Sequence, residues 1–353
     1  IYASAYDPSV KFVLTTEVCT VFESEGKTRR IHHVIMSPSF EIVEQINEAL
    51  SKYGDLSADG RPVLNMKASE LVELVMEISS DNEVYPAHAW TPWFGVFGSI
   101  TGFDDMESCY EDQVKHIHAL ETGLSSDPPM NWRVSWLDRY TLLSNSDSHS
   151  PWPWRLGREA NVFELDCFSY REIIDAIRKK DPRRLKYTVE VNPAYGKYHW
   201  TGHRACNFGV PPEEAKRLKG ICPVCGRKMT KGVEERVEEL ADRPRGFRPE
   251  NAIDFIHMLP LSEIIAKVRG GSLTDSANWK LYSAFVKKFG NEYKVLLEAP
   301  YEELAAVDKA VARAVLAVRE GRIKIKPGYD GKYGELIIEE GEPSPKGLER
   351  FLG

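Results

Sequence analysis

Two strings in this chain carry metal-binding residue types at spacings a metal can use. His203-x-x-Cys206 followed by Cys222-Pro-Val-Cys225 supplies four nitrogen and sulfur donors as two knuckles, the pattern of a tetrahedral structural Zn²⁺ site. Gly226 follows the second knuckle and frees backbone amides to approach the sulfurs. His199 is the alternative nitrogen ligand. A redox role fits Cys-x-x-Cys less well, because no thioredoxin-like helix follows it. The second string, Asp147-Ser-His149, ends the apolar run Tyr140 to Leu143. In an extended segment residues i and i+2 point the same way, so the carboxylate and imidazole converge on one hard or borderline ion. Alone, Asp-x-His arises often by chance, and Asp147 as a cap on the next segment is then the better reading.

The elements that would position these residues alternate between strand-like and helical patterns. Lys11 to Val18 reads as a strand ending near Glu17, and Arg30 to Met36 as a second strand carrying His32 and His33. Helices follow over Phe40 to Tyr53 and Ser69 to Ser79, from apolar residues at helical spacing. Val84 to His88, Ala119 to Gly123 and Tyr140 to His149 read as further strands, and Ser169-x-x-Glu172 caps a helix over Ile173 to Lys179. This alternation predicts an α/β fold with a parallel sheet. Four of the five strands finish on Glu17, His88, Glu121, or Asp147 with His149. Functional residues of (β/α) barrels collect at the C-terminal ends of strands, so these would share one cleft. A histidine–carboxylate site without thiolate suits Zn²⁺, Mn²⁺ or Fe²⁺, which would activate water and neutralise a phosphate. Adjacent histidines face opposite sides of a strand, so only one of His32 and His33 can join.

Beyond about residue 190 the pattern breaks. The expected organisation is a catalytic domain over 1–190, a zinc-binding domain over 191–245 and a mainly helical domain over 246–353. Helical patterns there cover Asn251 to Lys267, Ala277 to Phe289 and Tyr301 to Glu320, and a hairpin over Ile323 to Glu340 turns at Pro327 to Gly331. Arg243 to Pro249 reads as a linker.

The 353 residues are 42% hydrophobic and carry a net charge of −7, against indiscriminate nucleic-acid coating. Residues 178–236 nevertheless carry +9, the signature of a localised phosphate-binding face, with an ordinary solvated helix end as the alternative over 178–187. Lys179, Lys180, Arg183 and Arg184 lie in that run, and Tyr195, Tyr198 and Trp200 are interleaved with it as base-stacking candidates. Trp93, in the aromatic loop Trp90 to Asp105, stacks bases or packs the rim, with rim packing favoured. Cys19, Cys109 and Cys167 read as small core residues. The clustered cysteines fit a reducing compartment, and a cytoplasmic location without membrane partners is expected. Gly26-Lys27-Thr28 imitates the end of a P-loop, but Val21 stands where that motif needs glycine, which excludes this route to nucleotide hydrolysis.

Several strings resemble the endonuclease Q family of PHP (polymerase and histidinol phosphatase) DNA repair nucleases. They are Pro86-Ala-His-Ala-Trp-Thr-Pro-Trp93, Glu121-Thr-Gly-Leu-Ser-Ser-Asp-Pro-Pro-Met-Asn-Trp132, Ser144-Asn-Ser-Asp-Ser-His-Ser-Pro151, Lys197-Tyr-His-x-x-Gly-His-Arg204 and Cys222-Pro-Val-Cys-Gly226. The resemblance implies a distorted (β/α)₇ PHP barrel, a small zinc-binding domain and a C-terminal helical domain. It implies cleavage 5′ to uracil, hypoxanthine, xanthine or abasic sites in damaged DNA, single- or double-stranded, with a replication or repair clamp as a further partner. Glu17, His32, His88, Asp147 and His149 then map onto the PHP ligands of two or three divalent ions, Zn²⁺ first and Mn²⁺ or Mg²⁺ as alternatives. Asp147 and His149 take the catalytic roles, and His203, Cys206, Cys222 and Cys225 hold structural zinc. Glu121, Asp127 and Trp93 join the aromatic and basic residues above as substrate-binding candidates. PHP proteins open with a His-x-His motif and a further histidine, and neither precedes Glu17. The expectation is a barrel lacking its first strands through truncation rather than degeneracy, so that the chain as given binds fewer metals and does not cut DNA. Two other readings compete: a phosphatase of small phosphate monoesters, and a non-catalytic DNA-binding module.

Overall fold

The computed structural model describes residues 1–58 and 60–338. Strands β1 (Tyr2–Ala3) and β2 (Lys11–Phe12) form a short ribbon ahead of a long hairpin, β3 (Leu14–Ser24) and β4 (Lys27–Ser37). Glu25 and Gly26 close it with φ of 53° and 70°, the two-residue turn whose twist matches that of paired strands. The string that imitates a P-loop is this turn and the start of β4. Pairing runs unbroken from Leu14 opposite Ser37 to Ser24 opposite Lys27.

Helix α1 (Phe40–Leu50), opened by the Ser39 hydroxyl, leads to β5 (Val63–Leu64), α2 (Ala68–Ile78) and β6 (Glu83–Pro86). The resulting sheet has the order β5-β3-β4-β6, with β5 parallel to β3 and β6 antiparallel to β4. Helix α3 (Glu107–Tyr110) precedes β7 (Ala119–Glu121), and α4 (Pro128–Asn131) precedes β8 (Thr141–Leu143), which is parallel to β7. Strand β9 (Ala160–Phe163), helix α5 (Tyr170–Arg178) and β10 (Leu185–Glu190) follow. The Ser39 and Ser169 caps each satisfy a backbone N–H that the first helical turn leaves unpaired. A small module contains β11 (Thr201–His203), β12 (Phe208–Val210) and α6 (Pro212–Arg217), and α7 (Val233–Leu240) leads out of it. Then come β13 (Asp254–His257), α8 (Leu261–Arg269), α9 (Ser276–Phe289), α10 (Tyr301–Ala305), α11 (Lys309–Arg319) and the hairpin β14 (Ile323–Lys326) with β15 (Glu335–Ile338).

Hydrogen bonds link neighbouring sheets, Ala89 N–H to the Glu121 carbonyl and Ser144 Oγ–H to that of Val189, while Thr122 N–H to the Leu143 carbonyl continues the β7–β8 pairing. One core packs the β3–β4 sheet with α1, α2 and the Trp90 to Tyr110 region, and Val233 and Val237 of α7 belong to it. A second joins Val189 of β10 to α8, α9 and α11. Val210, Ala215, Cys222 and Met229 make a third, small one.

The expected parallel sheet is corrected. The first four-stranded sheet is mostly antiparallel, because a two-residue turn can only return the chain alongside itself, whereas parallel pairs need a long crossover. Glu17 therefore sits within β3 and not at a strand's end. Asn251 to Lys267, expected to be one helix, is divided at Pro260 into β13, parallel to β10, and α8. Tyr301 to Glu320 likewise divides into α10 and α11. Cys167 is exposed just ahead of the Ser169 cap, unlike buried Cys19 and Cys109. The expected hairpin end at Glu340 and the stretch 339–353 of the helical domain lie outside the described residues. No helix among the described residues is long and apolar enough to cross a membrane.

Candidate metal centre and zinc cluster

The β3–β4 register decides which histidine meets Glu17. Glu17 pairs with Val34, and His32, two residues from Val34, shares its face. His33 faces the other way, fully buried edge-on to Tyr110 with both ring nitrogens unpartnered, and burial lowers its pKa to about 3. His88 arrives from the end of β6. His32 Nδ1 and His88 Nε2 lie 3.4 and 3.2 Å from Glu17 Oε1 and 2.9 Å from each other. Nitrogen and oxygen ligands about 2.0–2.1 Å from a tetrahedral Zn²⁺ stand roughly 3.3 Å apart, so the three donor atoms have the spacing of ligands around one ion. Burial alone would raise the Glu17 carboxyl, but hydrogen bonds from His32 and His88 and the charges of His88 and Arg61 hold it far below the usual range.

His88 is held in an uncommon conformation, φ 28°. Its N–H donates to Glu121 Oε2 at 2.6 Å, and Gly123 packs against it so closely that an added Cβ would lie 2.7 Å from His88 Cβ. Burial raises Glu121 to about 7, although the neighbouring His88 charge and its N–H pull the other way. Glu121 thus orients a candidate ligand from behind.

Asp147 and His149 stand beside this cluster and outside its converging atoms. Asp147 has φ 42°, so the segment is not extended, yet His149 Nδ1 still comes within 3.6 Å of Asp147 Oδ1, so the pair meets by a local turn rather than by strand alternation. His149 Nδ1–H donates to the Asp147 carbonyl at 3.0 Å, which leaves Nε2 as the ligand-ready nitrogen of an imidazole whose side chain is 76% exposed. The link from Asp147 to the cluster is a residue that sequence reasoning missed. Arg61 places Nε 2.7 Å from Glu17 Oε1 and a terminal nitrogen 4.0 Å from Asp147 Oδ1. The Glu17 contact lacks hydrogen-bond alignment, so it is charge on charge. Nothing in Gly60-Arg-Pro62 marks Arg61, because its partners lie 44 and 86 positions away.

The other expected site residues scatter. Asp127 caps α4 and accepts from His257 Nε2 at 3.0 Å. Trp93 is partly exposed on its loop, whereas Trp90 and Phe97 of the same loop are buried against each other. Tyr195 packs on the second core, and Trp200 bridges to Tyr329. The Tyr198 carbonyl accepts from Val233 N–H at the start of α7. The basic run does not form a free cationic face. Lys179 pairs with Asp175, Arg183 with Asp181 and Arg184 with Glu172, while Lys180 donates to the Asp138 carbonyl. Acids on and just after α5 thus pair with three of these four cations. Sequence reading also missed two buried carboxyls, Glu159 and Glu190; burial and their mutual repulsion raise Glu159, and burial raises Glu190.

His203, Cys206, Cys222 and Cys225 come together with all donor atoms within 4.8 Å, and Cys225 Sγ lies 3.3 Å from His203 Nδ1. Gly226, φ 73°, donates its N–H to the Cys222 carbonyl. Burial opposes ionisation of the Cys222 thiol, but hydrogen bonds from the Cys225 and Val224 amides and His203 bring it down to about 7. His199 is instead buried 3.4 Å from Glu234, away from the thiols.

A model of the MJ0043 C-terminal domain matches residues 260–322. The chain is 35% identical over 261 residues to the uncharacterized protein MJ0043 of Methanocaldococcus jannaschii, covering 71% of this chain and 32% of that protein. It therefore spans about a third of that relative's length. The fold matches the lesion-specific endonuclease PfuEndoQ of Pyrococcus furiosus with a TM-score of 0.80 and 35% identity, over 91% of this chain and 81% of that one. It also matches an endonuclease Q complex with a 27-mer duplex bearing an abasic lesion at the active site, with a TM-score of 0.79 and 35% identity, over 91% of this chain and 82% of that one.

Proposed function

The chain belongs to the endonuclease Q family, and from that premise we propose that it is a metal-dependent DNA repair endonuclease hydrolysing the phosphodiester 5′ to a deaminated base or abasic site. The observation that carries this reading is the convergence of Glu17, His32 and His88 at ligand spacing, with Asp147 and His149 alongside. In this reading the strands form the wall of a distorted PHP barrel. Glu17, His32, His88, Asp147 and His149 hold two or three divalent ions, with His203, Cys206, Cys222 and Cys225 closing a structural zinc. Bound divalent ions would lower the pKa of a water and neutralise charge on the phosphate.

The protein's own residues supply position and charge. Glu121 fixes the His88 backbone, and the Asp147 carbonyl fixes His149 through Nδ1. Arg61, charge-paired but not hydrogen-bonded to Glu17, can turn its guanidinium toward a phosphate oxygen without leaving the cluster. The lesion nucleotide leaves the duplex to reach this cleft, at least cost where its pairing is already lost.

Incubation of the full-length protein with duplexes carrying uracil or an abasic site, with Mn²⁺ or Zn²⁺ added, tests the reading. The expected product has its nick 5′ to the lesion and a 3′-hydroxyl, and Asp147→Asn reduces it at least a hundredfold. Equal cutting by Asp147→Asn, or hydrolysis of small monoesters without salt-sensitive DNA binding, would overturn it.

A further inference from the structure

Immediately after Asp147-Ser-His149 the chain runs Ser150-Pro-Trp152-Pro-Trp154-Arg155. This loop is anchored at its base to Ser146. The Ser146 Oγ–H donates to the Glu159 carbonyl, Gly157 N–H donates to Ser146 Oγ, and Arg158 Nε–H donates to the Ser146 carbonyl, at 3.2, 2.9 and 2.8 Å. From the helical domain, the Tyr293 hydroxyl donates to the Gly157 carbonyl at 2.5 Å.

Four rings ladder outward through the loop. Trp279 and Tyr282 of α9 stack at 5.0 Å and 8°, Trp154 meets Trp279 edge-on at 5.4 Å and 85°, and Trp152 lies parallel to Trp154 at 5.0 Å and 6°. Trp154 is buried and already closes the core beneath, whereas Trp152 is 53% exposed. Packing explains the inner face of Trp152 and leaves the outer one unexplained. Pro151 and Pro153 fix φ on either side of it, so little entropy remains to be lost when a ligand stacks there.

We propose, resting on the nuclease reading above, that Trp152 is the stacking platform for a nucleobase next to the lesion. A flat ring presented parallel to a supporting ring suits any base, because every base offers a π-face. Arg155 and Arg158, in the same loop, supply the positive charge that a strand passing there requires. The platform stands five residues after Asp147 on a loop pinned beside it, so a base held there sets the distance from the lesion's backbone to the metal ligands.

The test uses the whole chain in an Asp147→Asn background, which removes cutting, and an abasic-site duplex with 2-aminopurine next to the lesion. Binding of the parent is expected to hold 2-aminopurine against Trp152 and keep it quenched. Trp152→Ala should weaken binding about tenfold or more and leave the probe bright; Trp152→Phe should retain most of both effects, and Trp152→Leu neither. Thermal midpoint and zinc content should stay unchanged, since half of the ring is already in water. If the parent binds and all three variants match it in affinity and emission, the platform is refuted while the nuclease reading stands. If the parent ignores the abasic duplex, both fail. If Trp152→Ala converts a dimer to a monomer without altering the probe, the ring serves a contact between copies and the platform is again refuted.

Discussion

Arg61 and a divalent ion compete for the same carboxylate, which makes Arg61→Gln a sharp test of the centre. Arg61 Nε lies 2.7 Å from Glu17 Oε1, and an ion bound to that oxygen would stand about 4–5 Å from the guanidinium. Unit charges at about 4 Å interact by roughly 4 kcal/mol at an effective dielectric near 20, and a divalent ion doubles that. The Arg61 side chain is 24% exposed, so solvent removes much of it. Even about 2 kcal/mol of relieved repulsion corresponds to roughly thirtyfold tighter binding. Titration calorimetry with Mn²⁺ reads this, because a thiolate-rich cluster does not favour that ion. The expected outcome is a split: Mn²⁺ binds Arg61→Gln at least tenfold more tightly, while lesion cutting slows. If Mn²⁺ binds the variant more weakly, Arg61 is needed to hold Glu17 in place and the competition argument is wrong.

Chelating the zinc should unfold residues 201–230 and leave the rest folded, because the hydrophobic cluster of that module has only four buried members; hydrogen exchange with and without chelator reads this locally. Gly123→Ala, at φ 64° and with its Cβ 2.7 Å from His88 Cβ, should cost about 2–4 kcal/mol and weaken metal binding together, measured by denaturant titration and calorimetry. Glu190 is buried with its carboxyl pKa raised above 4.5, and the Thr122 and Thr188 hydroxyls donate to it. Its contribution to stability is complete below pH 4.5 and is lost as pH rises through its folded value. Glu190→Gln should therefore flatten that decline in urea midpoints between pH 5 and 8, and an unchanged slope would assign it to another group.

The residues of the candidate site are readable in the sequence because their chemistry is local. The zinc ligands announce themselves by spacing, and the two-residue period of a strand separates His32 from His33 once their strand is recognised. The path of the chain is less readable. Glu25-Gly26 is a strong turn signal, but the Lys27-Thr28 after it imitates phosphate chemistry, and an antiparallel hairpin then looks like two strands of a parallel sheet. Asp254–His257 merges with a helical pattern because a short apolar run has no period of its own. Arg61 is invisible because its contacts depend on tertiary placement. The basic run misleads because a charge count cannot show that Lys179, Arg183 and Arg184 each have an acid within reach.

The second core also bears on how this protein can change over generations. Val189 of the central strand β10 is buried among the same helices that carry Trp279, and Tyr293 of that region ties down the loop after His149. The matched C-terminal segment is therefore not a detachable cassette. Recombination that exchanged it for another helical unit would strip a strand of its cover and release the loop beside the metal ligands. The two parts must be inherited as one folding unit, and drift in either is constrained by the other.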